Sequence, residues 1–317
     1  MKNFILLIVC LILSVTSIFI GVNNLNLAGI IQLDENQLHT LIHSRLPRLI
    51  SIIIAGSSMA ICGLIMQQLT RNKFVSPTTA GTMDSASLGI MVSMLMFASA
   101  TMMQKMIVSF LFALAGTLIF MKILDRIKFK NIIFVPLVGL MFGNIVGSIT
   151  TFFAYSNDLI QNISSWLQGS FALIITGRYE MLYVSIPLLI IAYIFANRFT
   201  IAGMGEEFSV NLGLNYKQVV NIGLIIVAAI TSVVVLTVGM IPFLGLIIPN
   251  IVAIFQGDNL RKNLPTTALL GVAFVLACDI IGRVIIFPYQ IPIGLTVGVI
   301  GSAIFLYLLI RGKKHGY

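Results

Sequence analysis

Long apolar runs, broken at short intervals by polar residues, occupy most of the chain. They stand at roughly 4–22, 47–69, 81–100, 106–124, 132–154, 180–197, 218–238, 243–256, 266–285 and 293–310. A helix needs about 20 apolar residues to cross the hydrocarbon of a bilayer, and in lipid the backbone must satisfy its own polar groups, which a helix does internally. The pattern therefore predicts ten membrane-spanning helices. The intervals carry the usual breakers: Asn23-Asn24, Arg71-Asn72-Lys73, 125–131, 156–178, 197–218, 257–265 and the tail from Arg311. Two proline-bearing stretches, Gly239-Met240-Ile241-Pro242-Phe243-Leu244-Gly245 and Ile247-Ile248-Pro249-Asn250, predict a tight turn followed by a kinked eighth helix. Gly139, Gly143 and Gly147, four residues apart, predict a face where a neighbouring helix packs closely.

Composition agrees. Of 317 residues 58% are hydrophobic and only 9% charged, and mean hydropathy is +1.06. Soluble domains carry about 25% charge, so this chain has too little polar surface to face water on all sides. Ten spans leave no room for a separate soluble domain, and residues 1–317 are expected to form one all-α transmembrane domain. The start, Met1-Lys2-Asn3 and an apolar run, imitates a signal peptide, but Val9 is a poor cleavage residue and the run continues to Ile20; a retained anchor is expected.

The formal net charge of +9 is informative only through its distribution. With a cytoplasmic N-terminus, ten spans return the C-terminus to the cytoplasm. Fourteen basic residues then lie inside: Lys2, Arg71, Lys73, Lys122, Arg126, Lys128, Lys130, Arg198, Lys217, Arg261, Lys262, Arg311, Lys313 and Lys314. Five lie outside: Arg45, Arg48, Lys105, Arg178 and Arg283. This is the positive-inside asymmetry. The excess charge orients the chain in its membrane, and nucleic acid is not expected as a partner.

Enzymatic constellations are missing. The chain has no phosphate loop of the G-x-x-x-x-G-K-[ST] kind, no H-E-x-x-H and no G-x-S-x-G. Cys10, Cys62 and Cys278 stand singly in apolar runs, which suggests neither disulfides nor a metal cluster. His39 and His43, spaced i, i+4, lack a third ligand and read as interfacial polar residues. The methionines, Met102, Met103 and Met106 among them, read as apolar filler. Buried carboxylates are scarce: Asp84, near the start of the third span, and Asp279, in the ninth, are the candidates. Asp279 stands four residues before Arg283, so an internal ion pair is the first reading and a proton relay the second. Many helices without catalytic residues predict a carrier that does not modify its cargo, needs no cofactor or bound metal, and takes its energy from elsewhere.

The segment Ser44-Arg45-Leu46-Pro47-Arg48-Leu49, continuing through Ala55-Gly56, Cys62-Gly63, Gln67 and Arg71-Asn72-Lys73-Phe74-Val75-Ser76-Pro77 to Gly81, resembles the signature of FecCD-type permeases. These are membrane subunits of ABC importers for ferric siderophores, haem and cobalamin. Gly205-Glu206-Glu207 with Leu212-Gly213-Leu214-Asn215, Pro242 to Asn250, Asp258, Leu264-Pro265, Asp279, Arg283 and Ile291-Pro292-Ile293-Gly294 continue the likeness over roughly residues 40–310. It implies a BtuC-like type II importer fold of ten helices with both termini cytoplasmic, in a bacterial cell membrane. It also implies a second permease subunit, identical or related, a cytoplasmic ABC ATPase dimer and an extracytoplasmic siderophore-binding lipoprotein.

By the same resemblance, Arg45, Arg48 and Arg283 pair with glutamates of the binding protein, a role that suits guanidinium forks. Interfacial snorkelling is the alternative for them. Residues Gly203 to Lys217, with Gly205, Glu206, Glu207, Leu212 and Gly213 in the matching motif, resemble the coupling helix that presses on the ATPase. Arg71, Asn72, Pro77, Gly81, Pro242, Gly245, Pro249 and Asn250 form the structural or gating motifs. The chain departs from many members at Asn250, Ala253 and Gln290, and at Phe74-Val75-Ser76-Pro77. The last segment, running on through Thr78-Thr79-Ala80-Gly81, together with Pro249-Asn250, is similar to the branch handling catecholate or petrobactin-type siderophores, which makes cobalamin the weaker expectation. Trp166-Leu167-Gln168-Gly169-Ser170 resembles the family's short helix near the cytoplasmic gate or the outer vestibule, depending on register, and the span assignment puts it outside. The rival from another class is an ion-coupled secondary transporter using Asp84 or Asp279.

Overall fold

A computed structural model describes residues 2–21, 35–97, 99, 101–127, 134–177 and 179–312. Asn23-Asn24, Lys128, Lys130, Arg178, Lys313 and Lys314 lie outside the described residues, as do the side chains of Lys2, Trp166 and Arg311. The regular structure among the described residues is helical: α1 (Lys2–Phe19), α2 (Glu35–Thr40), a π turn (Leu41–Arg45), α3 (Leu46–Thr70), α4 (Thr82–Met96), α5 (Met102–Arg126), α6 (Phe134–Ser156) and α7 (Ile160–Leu167). A 3₁₀ turn (Glu180–Val184), α8 (Ser185–Ile194), α9 (Ala196–Ala202), α10 (Glu206–Asn211), α11 (Tyr216–Thr237), α12 (Leu244–Gln256), α13 (Leu260–Val284) and α14 (Ile293–Gly312) complete it.

Among the described residues six helices are long and apolar enough to cross a membrane: Gln37–Thr70, Met102–Arg126, Phe134–Ser156, Tyr216–Thr237, Leu260–Val284 and Ile293–Ile310. A seventh forms if the pair Glu180–Ile194 and Ala196–Ala202 counts as one span bent by 61°. Three shorter apolar helices, Asn3–Phe19, Thr82–Met96 and Leu244–Gln256, occupy the other segments predicted from hydropathy. Local chemistry sets several starts. Thr101 and Gln104 close a capping box on α5, and the Asn215 and Asn259 side chains accept from the backbone N–H groups of Gln218 and Lys262 at the starts of α11 and α13.

The helix predicted over 47–69 is longer than its apolar run, because it continues outward through the π turn to Gln37. Pro47 is the physical reason for that turn. It has no N–H to give to the carbonyl of His43, and its ring crowds that carbonyl. The wider turn relieves the crowding: the Leu46 N–H reaches back to Leu41 O, and His43 O accepts from Thr176 N–H at 3.4 Å. The shifted register turns Arg45 and Arg48 inward while His39 and His43 stay exposed, their rings stacked at 4.2 Å.

Helices α3 and α11 form the centre. In their most apolar stretches 78% and 72% of residues are buried, against 28% in α6 and 22% in α14, which present apolar faces outward. Small residues let the central helices approach. Gly56 of α3 and Gly271 of α13 stand against each other's backbone, and Gly63 lies directly on the carbonyl of Gly245 in α12. That carbonyl is the one Pro249 leaves without its helical N–H partner. On the other side, α4 and α5 are joined by the Thr82–Thr117 hydroxyl pair at 2.8 Å and by Ser109 Oγ donating to Ala86 O at 3.0 Å. Of the predicted glycine face, Gly139 packs on Thr79 and Phe120 and Gly143 on Asp84 and Gly81, whereas Gly147 has open space beside it.

The turn predicted from Gly239 to Gly245 is a partly buried break between α11 and α12. Gly239 has φ +90, and its N–H returns to Val234 O and Val235 O at 3.2 and 3.1 Å. Met240 N–H donates to Leu167 O, Ser170 N–H to Val238 O, and Gly294 N–H to Gly169 O. The Leu167–Ser170 segment is thus wedged between this break and the start of α14, where Gly169 lies against Met240 O and Gly294 against Gln168 O.

Substituting Gly63→Ala places a methyl on Gly245 O at a backbone crossing that cannot move cheaply, a kind of overpacking that costs about 1–3 kcal/mol. Thermal unfolding of the purified protein is expected to show a midpoint several degrees lower, with Gly147→Ala unchanged.

Candidate functional site

Residues singled out from the sequence gather in three groups. At the end where α3 begins, Arg48, Arg283 and Asp279 meet. Arg48 Nη2 donates to Asp279 Oδ1 at 2.7 Å, and Arg283 Nη2 forms an ion pair with Asp279 Oδ2 at 2.7 Å. One carboxylate thus serves two guanidiniums, with side-chain exposures of 10% for Arg48, 2% for Arg283 and 3% for Asp279. The expected i, i+4 pair of Asp279 and Arg283 is present, enlarged by Arg48. Charge-assisted contacts of this kind are strong in a low-dielectric site, and loss of one partner leaves an uncompensated buried charge.

The arginines also hold α1. Arg283 Nη1 donates to Ser17 O at 2.8 Å and Ile20 O at 2.7 Å, Arg283 Nη2 donates to Ser17 Oγ at 2.6 Å, and Arg45 Nη1 donates to Ile20 O at 2.7 Å. Carbonyls at a helix C-terminus lack helical partners and carry the negative end of the dipole, so guanidiniums suit them. Gly21 lies directly against the Arg45 guanidinium. Arg48 also reaches an exposed neutral group: its Nη1 donates to Gln290 Oε1 at 2.7 Å. Neither the anchoring of α1 nor the Gln290 contact was legible in the sequence, since Ser17 and Ile20 offer unremarkable backbone carbonyls and Gln290 lies far along the chain.

At the opposite end of α3, Arg71 caps the helix in the left-handed conformation, φ 51, with its N–H returning to Gln68 O at 3.2 Å. Arg71 and Met204 to Phe208, with Val210 and Asn211, line a surface groove of about 850 Å³. Gly205, φ +115, begins α10 beside the Arg71 guanidinium, and Glu206 and Glu207 fill its first turn, favourable for the helix dipole. Leu212 caps α10 and Gly213, φ +75, turns the chain toward α11. Phe208, Val210 and Leu212 are exposed. Apolar side chains on a polar end of the bundle mark a surface fit for a protein partner.

Beside Arg71, the motif residues Pro77, Gly245 and Asn250 tie the loop after α3 to α12, while Asn72 and Gly81 shape that loop and Pro242 and Pro249 stand before and within α12. Asn250 Nδ2 donates to Lys73 O at 2.7 Å and to Leu246 O at 2.8 Å, and Gln67 Nε2 donates to Leu246 O at 3.2 Å. Asn72 Oδ1 accepts from Phe74 N–H at 2.9 Å, and Pro77 and Gly63 flank Gly245. Gly81, φ +72, stands against Phe142 and Gly143 of α6 where α4 starts. Lys73 and Asp258 add an exposed ion pair at 3.2 Å. Asp84, in the first turn of α4, lies against Gly143 rather than near Asp279. Among the described residues no group of three or more His, Cys, Asp or Glu could hold a metal.

The model of the FecCD transport family matches residues 6–311. The petrobactin import system permease protein YclN of Bacillus subtilis is 67% identical over 315 residues, covering 99% of this chain and 100% of the relative. The ferric-anguibactin transport system permease protein FatD of Vibrio anguillarum is 41% identical over 302 residues, 95% of this chain and 96% of the relative. A solved structure of an inward-facing metal-chelate type ABC transporter aligns with TM-score 0.83 at 22% identity, covering 98% of this chain and 99% of that one. That likeness establishes the fold.

Magnitudes separate the two ion-pair sites. Asp279→Ala leaves two buried guanidiniums without their carboxylate and is expected to cost about 3–5 kcal/mol. Asp258→Ala breaks a pair whose side chains are 52% and 64% exposed and is expected to cost no more than about 1 kcal/mol. Thermal unfolding of the two purified variants checks the difference.

Proposed function

Since the chain belongs to the FecCD transport family, we propose that it is the membrane-spanning permease subunit of an ABC importer that brings a ferric siderophore across the cytoplasmic membrane. The observation that carries this reading is the identity along essentially the whole chain to permeases of petrobactin and anguibactin systems. A catecholate or petrobactin-type chelate is the proposed cargo. The chain catalyses no reaction. Its fold and family match are those of transport subunits, and ATP is hydrolysed by partner subunits.

In this reading the chain crosses the membrane ten times with both termini in the cytoplasm. Supporting it are the six long helices, the bent α8–α9 pair, and α1, α4 and α12 on the remaining apolar segments. Helix α12, 13 residues or about 20 Å long, is too short for about 30 Å of hydrocarbon, and the partly buried non-helical stretch from Gly239 to Phe243 extends it. Irregular backbone is tolerated at that depth where protein satisfies it, as Leu167 and Val238 do here. The fourteen-to-five distribution of basic residues orients the chain with the Arg71–Asn211 groove inside and the Arg48–Asp279 cluster outside.

The mechanism follows from the two ends. A binding protein with acidic groups docks at Arg45, Arg48 and Arg283 and releases its cargo into a path between this chain and a second permease subunit. ATP binding and hydrolysis in the cytoplasmic dimer move Gly205 to Gly213, which pass the motion to α3 through Arg71 and to α12 through Asn250 and Lys73. The pathway then alternates between outward and inward openings. Docking at Arg45 and Arg283 requires these side chains to leave carbonyls of α1 that they now hold, whereas Arg48 is reached through Gln290.

Two measurements test the reading. Proteoliposomes holding the permease and its ATPase are expected to accumulate ferric siderophore only with ATP on the ATPase side. Accumulation driven by a proton or sodium gradient alone, lost on Asp84→Asn or Asp279→Asn, would establish the ion-coupled rival. Deleting Glu206 to Asn215 is expected to leave basal ATP hydrolysis intact and to abolish its stimulation by loaded binding protein; preserved stimulation contradicts the coupling role.

A further inference from the structure

Toward the end of the bundle that carries the Arg71 groove, α8 meets α9 at a break bent by 61°, and two arginines are held on aromatic rings at that corner. The Arg198 guanidinium stands over the Phe195 ring, 4.8 Å from its centre, and the Arg261 guanidinium, from the first turn of α13, stands over the Tyr193 ring at 6.0 Å. Tyr193 and Phe195 flank the break, so the bend gathers guanidiniums from two helices at one place. The corner is fixed by backbone contacts. Thr200 Oγ1 accepts from the Leu260 N–H at 3.2 Å, tying α9 to the start of α13, and Gln68 Nε2 of α3 donates to Thr200 O at 3.3 Å. Lys262 adds a third exposed cation. Among the described residues no carboxylate pairs with these three, and Asp258, three residues before Arg261, is held by Lys73. Beyond the corner, α8 presents exposed Ile190, Ile191 and Ile194.

We propose that this corner binds the phosphate of an anionic phospholipid of the cytoplasmic leaflet. Only the choice of leaflet rests on the orientation given above. A guanidinium lying over a ring keeps its N–H edge free, and two such edges suit the oxygens of a phosphodiester. Rings at the break also fit the boundary between membrane and water, where Tyr is favoured. The exposed isoleucines lie where the acyl chains of the same lipid would run, a surface for which a soluble phosphate has no use. Basic pockets between spanning helices hold acidic headgroups by this combination of charge and apolar wall. The other inner basic residues orient the chain by their number, whereas Arg198 and Arg261 are placed by their rings. Because α9 leads through Gly205 into α10, a lipid held here steadies the helix that precedes the proposed ATPase contact.

The test uses the complete permease–ATPase complex, purified in detergent and titrated with dioleoyl phosphatidylglycerol or dioleoyl phosphatidylcholine, with bound lipid counted by native mass spectrometry. The parent is expected to hold the glycerol lipid about tenfold more tightly than the choline lipid. Arg198→Gln with Arg261→Gln is expected to bring the two affinities within about twofold of each other. Lys122→Gln with Arg126→Gln, which removes two exposed cations from the end of α5, is expected to leave the preference unchanged. Equal loss in both double variants overturns the proposal, because total charge and not the corner would then be the cause. A preference that survives without Arg198 and Arg261 overturns it as well. Displacement of the bound lipid by millimolar glycerol phosphate would assign the corner to a free phosphate and reject the lipid. Loss of ATPase subunits from the Arg198–Arg261 variant, with its lipid preference intact, would assign the arginines to a protein interface instead. Labelling of Asn197→Cys by an impermeant maleimide in intact cells, with the preference unchanged, rejects the orientation and the leaflet while the lipid site stands.

Discussion

In hydrocarbon no water is present to satisfy a free N–H or carbonyl, so every break in a helix must be matched by another part of the same protein. The rest of the architecture depends on this constraint. Where Pro47 disrupts the ladder, a π turn and Thr176 take up the displaced bonds. Where Pro249 frees the carbonyl of Gly245, Gly63 of the central helix lies on it without a side chain between. Where α11 ends inside the bundle, Leu167 and Val238 exchange bonds with the chain on either side. Each irregularity is bound to α3, α7 or α12, so these helices cannot shift independently.

The same economy operates on charge. A buried carboxylate is tolerated because two guanidiniums meet it, and the guanidiniums are tolerated because they also close the end of α1. This joins the first helix, the start of α3 and the end of α13 at one point. The far end of α3 reaches Arg71 and the groove beside α10, so one buried helix joins the arginine cluster to that groove. Its crossings with α12 and α13 are backbone on backbone, which stiffens that link.

Much of this was legible in the sequence. Each of the ten apolar segments falls on a helix or on the bent α8–α9 pair. Prolines at 242 and 249 marked the broken region. Long-range partners were not legible: nothing near Arg48 in the chain points to Gln290, and Asn250 gave no sign that it reaches Lys73 O. Periodicity reports the environment of a residue and not the identity of its neighbour. The extension of the second span to Gln37 was missed because hydropathy ends where a helix leaves the lipid. The bend at Phe195 was missed for the opposite reason, an unbroken apolar run concealing a 61° change of direction that buries Ala196, Phe199 and Ala202.

The central claim is that the arginine cluster and the α10 groove face opposite sides of one membrane. Single cysteines test it most directly, because Cys10, Cys62 and Cys278 are buried and give little background. Phe287→Cys beside the cluster and Phe208→Cys in α10 replace exposed side chains. A membrane-impermeant maleimide is expected to label the first in intact cells and the second only after permeabilisation. Labelling of both positions from the same side would contradict the account.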